Sequence, residues 1–225
     1  ERYRIANLYR HQAEAITRAR EKKNVIIATP TASGKTLAYN IPVLESILND
    51  RQSRAFYLFP IKALEQDQLR TINELISALE GEGITAAIYD GDTTPYQKKK
   101  IKDNPPNIII TNPDMFHSGF LPYHSNWGDF FKNLKFIVID ELHTYRGVFG
   151  SHIAQVFRRM NRIIEHYGGS PQYMACSATI PNPEEFAETL TGLPFEVVRS
   201  SGAPEPDRHF IFINPTVSPY TETVS

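Results

Sequence analysis

Residues 24–36, which read NVIIATPTASGKT, decide the fold of this protein. The apolar run Val25 to Ala28 is typical of a short buried strand. The loop after it ends in Gly34-Lys35-Thr36, and Leu37 to Leu48 then have the composition of a helix. A strand, a glycine-containing loop and a helix in this order form the context of a phosphate-binding loop. The loop departs from the pattern G-x-x-x-x-G-K-[ST] because Thr29 stands at the first glycine position.

The loop residues suit the phosphates of a nucleotide. Backbone N–H groups of the loop and of the helix N-terminus would surround the phosphates, and Gly34 would let the backbone approach closely. Lys35 would reach the β and γ oxygens, and the Thr36 hydroxyl would bind Mg²⁺. The predicted cradle is completed by Thr31, Ala32 and Ser33. A surface turn that happens to contain Gly-Lys-Thr is the alternative.

A second motif follows about a hundred residues later, where residues 136–143 read FIVIDELH. An apolar strand that delivers two adjacent carboxylates is what an ATPase needs beside its phosphate loop. Asp140 would hold Mg²⁺ through water, and Glu141 would orient and deprotonate the attacking water. Asp-Glu after a strand is by itself also typical of a solvated strand end. Together with the phosphate loop it predicts ATP chemistry.

Short β-branched runs alternate with helix-period stretches along the chain. This alternation predicts an α/β fold, a doubly wound and mainly parallel sheet of about seven strands with helices on both faces. The strand candidates are 24–28, 55–59, 85–89, 107–111, 136–140, 172–177 and 195–198. We predict one lobe over residues 1–198 and, over 199–225, a linker with the possible first strand of a second lobe at His209–Asn214.

Two further patterns concern the helices and the loops. Apolar residues from Ile153 to Tyr167 recur at the spacing of one buried helical face, which leaves the arginines at 158, 159 and 162 off that face. Residues 120–132 contain Pro122, the only tryptophan and several other aromatic residues between two strands. We predict an elaborated surface loop for this segment.

Composition restricts the functional classes. The 24 Lys and Arg against 25 Asp and Glu give a net charge of -1, so nucleic-acid binding would need a local surface. No apolar run approaches the roughly 18 residues of a membrane helix, and no membrane partner is expected. The only cysteine, Cys176, favours a reducing compartment, so we expect the cytoplasm, including the nucleoid, or the nucleus. The chain begins with Glu1 and looks like a piece of a longer protein.

With Ser177-Ala178-Thr179 as a third motif, the order and spacing resemble the superfamily 2 DExH-box helicases and their RecA-like N-terminal lobe. This resemblance implies ATP and Mg²⁺ as cofactors, Gln12 as an adenine contact, and a second RecA-like lobe that completes the site. His143 and residues 177–179 would couple the nucleotide to nucleic acid. The implied nucleic-acid contacts are Pro60, Lys62, Gly91, Asp92, Thr111 and Asn112.

The stretch 139–152, IDELHTYRGVFGSH, most resembles the RecQ-four-like helicases and their bacterial mitomycin-repair relatives. That group implies a DNA helicase or translocase of 3' to 5' direction that acts in repair on single-stranded or tailed duplex DNA. An RNA helicase, a protein-remodelling ATPase and a non-catalytic strand-binding module remain as alternatives. The lysines at 98, 99, 100 and 102 would be either a phosphate-contacting patch or a solvated helix face.

Overall fold

Seven parallel strands form one sheet in the computed structural model, which describes residues 7–30, 33–79 and 83–204. Within that part of the chain, the strands are β1 Val25–Ala28, β2 Arg54–Leu58, β3 Ala86–Ile88, β4 Ile108–Thr111, β5 Leu134–Ile139, β6 Gln172–Ser177 and β7 Glu196–Val198. Their order across the sheet is β3-β4-β2-β5-β6-β1-β7. The predicted α/β class and all seven predicted strands are confirmed. The possible strand at His209–Asn214 lies outside the described residues.

The strand registers bring the functional loops to one edge of the sheet. Ile139 at the end of β5 aligns with Leu58 of β2 and Ala175 of β6, and Leu58 also aligns with Thr111 of β4. On the other side, Ala28 of β1 aligns with Ser177 of β6. Because parallel strands all point the same way, the segments after β1, β2, β4, β5 and β6 emerge together.

Helices cover both faces of the sheet. The main helices are α1 Arg10–Arg20, α2 Lys35–Asn49, α3 Lys62–Ala78, α4 Pro95–Asp103, α5 Pro113–Met115, α6 Gly128–Lys132, α7 Gly147–His166 and α8 Pro183–Thr191. Short π and 3₁₀ segments occupy Phe116–Phe120, His124–Trp127 and Leu142–Thr144. One apolar cluster joins α1, α2 and α3 to the sheet, and a second joins the segment 116–131, α7 and α8 to its other face. None of the described helices is long and apolar enough to cross a membrane.

Helix α7 has the buried face that its periodicity predicts. Ile153, Phe157, Met160 and Ile164 are buried against the sheet, whereas Arg158 points to solvent. Cys176 lies fully buried in β6, where it acts as a small apolar residue. Hydrophobic period alone therefore located this face, because the sheet covers one side of the helix.

The prediction of a surface loop over residues 120–132 is wrong. The segment folds into short helices that bury Phe120, Trp127, Phe130 and Phe131. These rings pack around Phe56 of β2, whose ring centroid lies 4.7 to 6.0 Å from those of Phe120, Phe130 and Phe131. Polar residues between the aromatic ones interrupt any regular period, but the large rings still gain most by leaving water. The segment is part of the core.

Replacing Trp127 with Ala should destabilise the lobe by about 3–5 kcal/mol, because the cavity left in this cluster has few ways to collapse. Urea unfolding followed by circular dichroism measures this change. Tyr123→Ala is the matched control: Tyr123 lies in the same segment but is 55% exposed, so its loss should cost under about 1 kcal/mol. Equal effects of the two substitutions would contradict a core role for the segment.

Candidate functional site

The phosphate loop connects β1 to α2, and side chains contact its described residues. Gly34 has φ +79° and ψ +31°, a left-handed conformation that glycine adopts without strain. A Cβ atom there would lie 2.9 Å from Nε2 of Gln12. Lys35 Nζ donates hydrogen bonds to the carbonyl oxygens of Thr29 at 2.9 Å and Pro30 at 3.1 Å. The ammonium group is thus folded over the loop, next to the start of α2.

Thr29 stands at the first glycine position of the common pattern. Its side chain is buried, and its Oγ1 lies 2.7 Å from the Oγ of Ser33. The hydroxyl pair closes the loop across its base, which gives the β-branched residue a structural use at this position. Ser33 is buried as well, so its side chain supports the loop from below. The predicted contacts Thr31 and Ala32 lie outside the described residues.

Gln12 fastens α1 to the phosphate loop. Its Oε1 accepts a hydrogen bond from the backbone N–H of Tyr9 at 2.9 Å, and its Nε2 donates to the Gly34 carbonyl at 2.7 Å. A carboxamide has one further N–H and one further lone pair, so it retains the groups that a bidentate contact with adenine requires. The adenine contact itself stays a prediction.

The second motif places Asp140 and Glu141 directly after β5. Asp140 Oδ1 accepts the backbone N–H of Glu141 at 2.8 Å, and the Tyr39 hydroxyl donates to Oδ2 at 3.4 Å. The pKa of Asp140 is raised to about 6, mainly by burial; the Glu141 carboxylate adds to the rise, whereas the hydrogen bond from the Glu141 N–H and the charge of Lys35 oppose it. The protein alone therefore supplies too little positive charge for this carboxylate, which is the environment that a bound cation would complete.

These residues fit a magnesium nucleotide. Lys35 and the N-terminus of α2 supply positive charge for phosphates, while Thr36 and Asp140 supply the oxygen ligands that Mg²⁺ prefers. Among the described residues, no group of three or more His, Cys, Asp and Glu side chains is placed to hold a metal ion. The arrangement therefore suits an ion that keeps most of its waters and shares phosphate oxygens.

His143 joins the second motif to the third. Its Nδ1 accepts a hydrogen bond from the Ala178 backbone N–H at 3.2 Å and lies 3.2 Å from Glu141 Oε2. One nitrogen cannot accept and donate together, so the two contacts require different positions of the ring proton. Glu141 has φ +47°, a strained value for a residue with a side chain. Ser177 is buried and Thr179 is exposed beside this contact.

The predicted nucleic-acid contacts lie after β2, β3 and β4. Lys62, Gly91 and Asp92 are exposed, and Lys62 Nζ pairs with Asp92 at 2.8 Å. Pro60 and Asn112 are half-buried. These residues therefore share the loop edge of the sheet, beside the nucleotide site.

The structure corrects the prediction that Thr111 contacts nucleic acid. It is fully buried, and its hydroxyl donates to the Tyr89 carbonyl at 2.6 Å, so its side chain does not reach a ligand at the surface. Its position at the last residue of β4 gives it the supporting role of tying β4 to β3. The lysines at 98, 99, 100 and 102 lie on α4, and both readings of them remain open.

Sequence reasoning missed the buried carboxyl group of Glu65. It lies on α3 and accepts a hydrogen bond from Nδ2 of Asn112 at 3.0 Å. The sequence contained a signal for its burial, because Glu65 precedes Leu69 and Ile72 at the four- and seven-residue spacing of the buried helical face. Tyr39 was missed as well, although it stands one turn after Thr36 on the same helix.

Comparison with known proteins agrees with this geometry. The model of the DEAD/DEAH box helicase family matches residues 9–186. The chain belongs to the DEAD/DEAH box helicase family. Its seven-stranded sheet, phosphate loop and paired carboxylates are arranged as this assignment requires.

Three relatives place this DEAD/DEAH box domain more closely. The uncharacterized ATP-dependent helicase YprA of Bacillus subtilis is 52% identical over 213 residues, which are 95% of this chain and 28% of YprA. The ATP-dependent helicase hrq1 of Schizosaccharomyces pombe is 41% identical over 97% of this chain and 20% of its own length. The structure of the DUF1998 helicase MrfA bound to DNA and AMPPNP has a TM-score of 0.92 at 50% identity, covering 97% of this chain and 30% of MrfA. The resemblance to the RecQ-four-like and mitomycin-repair group is confirmed.

Asp140→Asn should stabilise the nucleotide-free domain more at pH 7.5 than at pH 5, by roughly 1–2 kcal/mol. The folded pKa of Asp140, about 6, exceeds its unfolded value of 3.8, so ionisation penalises the folded state increasingly as pH rises between these values. The asparagine side chain cannot ionise, so the variant does not lose folding stability in this way as the pH rises.

Urea unfolding at the two pH values measures the difference. Asp103→Asn, an exposed carboxylate at the end of α4, is the control and should show no trend with pH. A constant effect of Asp140→Asn across this range would contradict the assigned environment.

Proposed function

We propose that this chain is the N-terminal RecA-like motor lobe of an ATP-dependent DNA helicase or translocase. The observation that carries the proposal is the convergence of Lys35, Asp140 and Glu141 at the sheet edge that also bears Lys62 and Asn112. This proximity supports a proposal in which phosphate chemistry and strand contact lie side by side at one edge of the sheet. Family membership and the names of the relatives support the same activity.

The nucleotide chemistry follows from the residues described above. MgATP supplies the transferable γ-phosphoryl group and a divalent charge near it. Lys35 would exchange its contacts with the Thr29 and Pro30 carbonyls for phosphate oxygens, and Thr36 and Asp140 would hold Mg²⁺. Glu141 would orient the attacking water and accept its proton, and a cation held by Asp140 would offset the negative charge of that neighbouring carboxylate.

Coupling to nucleic acid passes through His143 in this proposal. The hydrogen bond from Ala178 to Nδ1 joins the loop after β5 to the loop after β6, and Glu141 lies beside the same nitrogen. A change in the hydrogen bonding of Glu141 on hydrolysis therefore alters the ring contact that holds Ala178. The residues 177–179 transmit this change to the face that the second lobe would contact.

DNA is the proposed substrate because the relative MrfA, 50% identical here, has been crystallised with DNA. The relatives are three to five times longer than the matched segment, so a second lobe and further domains belong to the proposed whole protein. We further propose 3' to 5' movement on single-stranded or tailed duplex DNA, a role in repair, and a location in the nucleoid-containing cytoplasm or the nucleus.

The proposed function is tested by measuring the ATPase rate of the full-length protein without nucleic acid, with single-stranded DNA and with RNA of equal length. DNA should stimulate hydrolysis most. Preferential stimulation by RNA would replace the DNA assignment with an RNA helicase. Stimulation by neither would favour a protein-remodelling ATPase.

Lys35→Ala and Glu141→Gln should separate binding from turnover in the full-length protein. Lys35→Ala removes the point charge on the β and γ phosphates and should lower affinity for MgATP at least tenfold. Glu141→Gln should retain that affinity and lose turnover by about 10² to 10⁴, because the water lacks its base. Calorimetry and a coupled ATPase assay measure the two properties. Loss of both in Glu141→Gln would point to a metal or folding defect instead.

Residues 1–225 alone should hydrolyse ATP barely and unwind no duplex. Arginines from a second lobe contribute on the order of 10³ to 10⁵ in related phosphoryl transfers, and this lobe cannot replace them. Steady-state hydrolysis by the fragment and the full-length protein at equal concentration measures the deficit. Comparable rates would contradict the need for a second lobe.

A further inference from the structure

The segments after β2, β3 and β4, which carry the proposed nucleic-acid contacts, meet at one buried carboxyl group, that of Glu65. Glu65 stands in the first turn of α3 and is fully buried. Its Oε1 accepts the hydrogen bond from Nδ2 of Asn112, at 3.0 Å, and Oε2 has no hydrogen-bond partner among the described residues. Burial without a full set of partners is costly for an ionised carboxylate, so this group has an unusual preference for its neutral form.

A second carboxyl group, that of Asp90, faces Glu65 from the loop after β3. Asp90 Oδ1 accepts three hydrogen bonds, from the backbone N–H groups of Asp92 at 3.0 Å and Thr93 at 2.8 Å and from Thr93 Oγ1 at 2.8 Å. Burial alone would raise the pKa of Asp90, but these donors lower it below its ordinary value. Asp90 is therefore the ionised partner, and it shapes the turn that presents Gly91 and Asp92.

The charged groups around Glu65 and Asp90 determine which of these two carboxyl groups holds a proton. The pKa of Glu65 is raised to about 7, mainly by burial; Asp90 adds to the rise, whereas Asn112 and Lys62 oppose it. Lys62 is itself paired with Asp92. Tyr145 contributes a buried phenol whose pKa is raised, mainly by burial, so it stays neutral. Below the pKa of Glu65 the proton therefore resides on Glu65, and Asp90 stays ionised.

We propose that Glu65 is a positioning residue for nucleic-acid binding and that its proton links the strength of that binding to pH, an inference that rests on the proposed function. When protonated, Glu65 accepts from Asn112 and is able to donate to Asp90. This arrangement joins the segments after β2, β3 and β4 in one geometry. When ionised, Glu65 faces a second carboxylate and adds a negative charge beneath the residues that would meet phosphates.

The direction of the pH effect follows from this charge. Phosphate groups bound nearby disfavour ionised Glu65, so the complex holds the proton more tightly than the free protein does. Binding therefore takes up protons near pH 7. Affinity is greatest below the pKa of the free protein and falls as pH rises through it.

The test uses the full-length protein and a fluorescein-labelled oligothymidylate, with anisotropy measured at pH 6 and pH 8 at constant ionic strength. The wild type should bind about threefold to tenfold more tightly at pH 6. Glu65→Gln keeps an acceptor for Asn112 and a donor for Asp90, so it should retain tight binding at pH 8 and lose most of this pH dependence. Glu165→Gln removes an exposed carboxylate from α7, on the other face of the sheet, and should behave as the wild type does.

Calorimetry at pH 7 in two buffers of different ionisation enthalpy provides an independent readout. The wild type should take up a fraction of a proton on binding DNA, and Glu65→Gln should take up less. Absence of proton uptake by the wild type would overturn the proposal even if the variant did not fold. If the wild type and Glu65→Gln both bind DNA with equal pH dependence, the role of Glu65 is overturned but the proposed function is not. Failure of every form to bind DNA at either pH would overturn the proposed function as well.

Discussion

Parallel hydrogen bonding of β5 with β2 on one side and β6 on the other is the constraint on which the rest of the structure depends. The backbone N–H of Asp140 donates to the Leu58 carbonyl at 3.0 Å, so β2 fixes the exit of the carboxylate motif from the sheet. The alignment of Ile139 with Ala175 brings the following loop level with residues 177–179. A shift of one residue in either register would turn the whole buried side-chain set of β5 to the other face.

The same strand order divides the functional edge into two halves. Strands β1, β5 and β6 lead into the residues proposed to contact the nucleotide, and β2, β4 and β3 lead into the residues proposed to contact the nucleic-acid strand. Each half contains a carboxyl group whose pKa burial raises, Asp140 in one and Glu65 in the other. Tyr145 lies between them, with its buried hydroxyl unpartnered among the described residues and its pKa affected by both carboxylates. The carboxyl groups of the two halves are thus both close enough to Tyr145 to raise its pKa.

Much of this arrangement was predictable from the sequence because the signals are local. A strand, loop and helix around Gly34-Lys35 specify their own geometry, and the apolar run before Asp140 marks its strand without reference to any distant residue. The segment containing Trp127 was misjudged because its packing depends on Phe56, more than 70 residues earlier in the chain. Glu65 was missed because charged residues are rarely fully buried, and only its contact with Asn112 explains the exception.

The polar groups of the nucleotide half already have partners within the protein. Lys35 bonds two loop carbonyls, Gln12 bonds Tyr9 and Gly34, and His143 bonds Ala178. Replacing one hydrogen bond with another changes the free energy little, since both states are satisfied. The favourable part of phosphate binding would then come from charge, through Lys35 and a cation that Asp140 would hold. This explains why the site depends on a few charged residues, whereas the surrounding hydrogen bonds mainly fix where those charges lie.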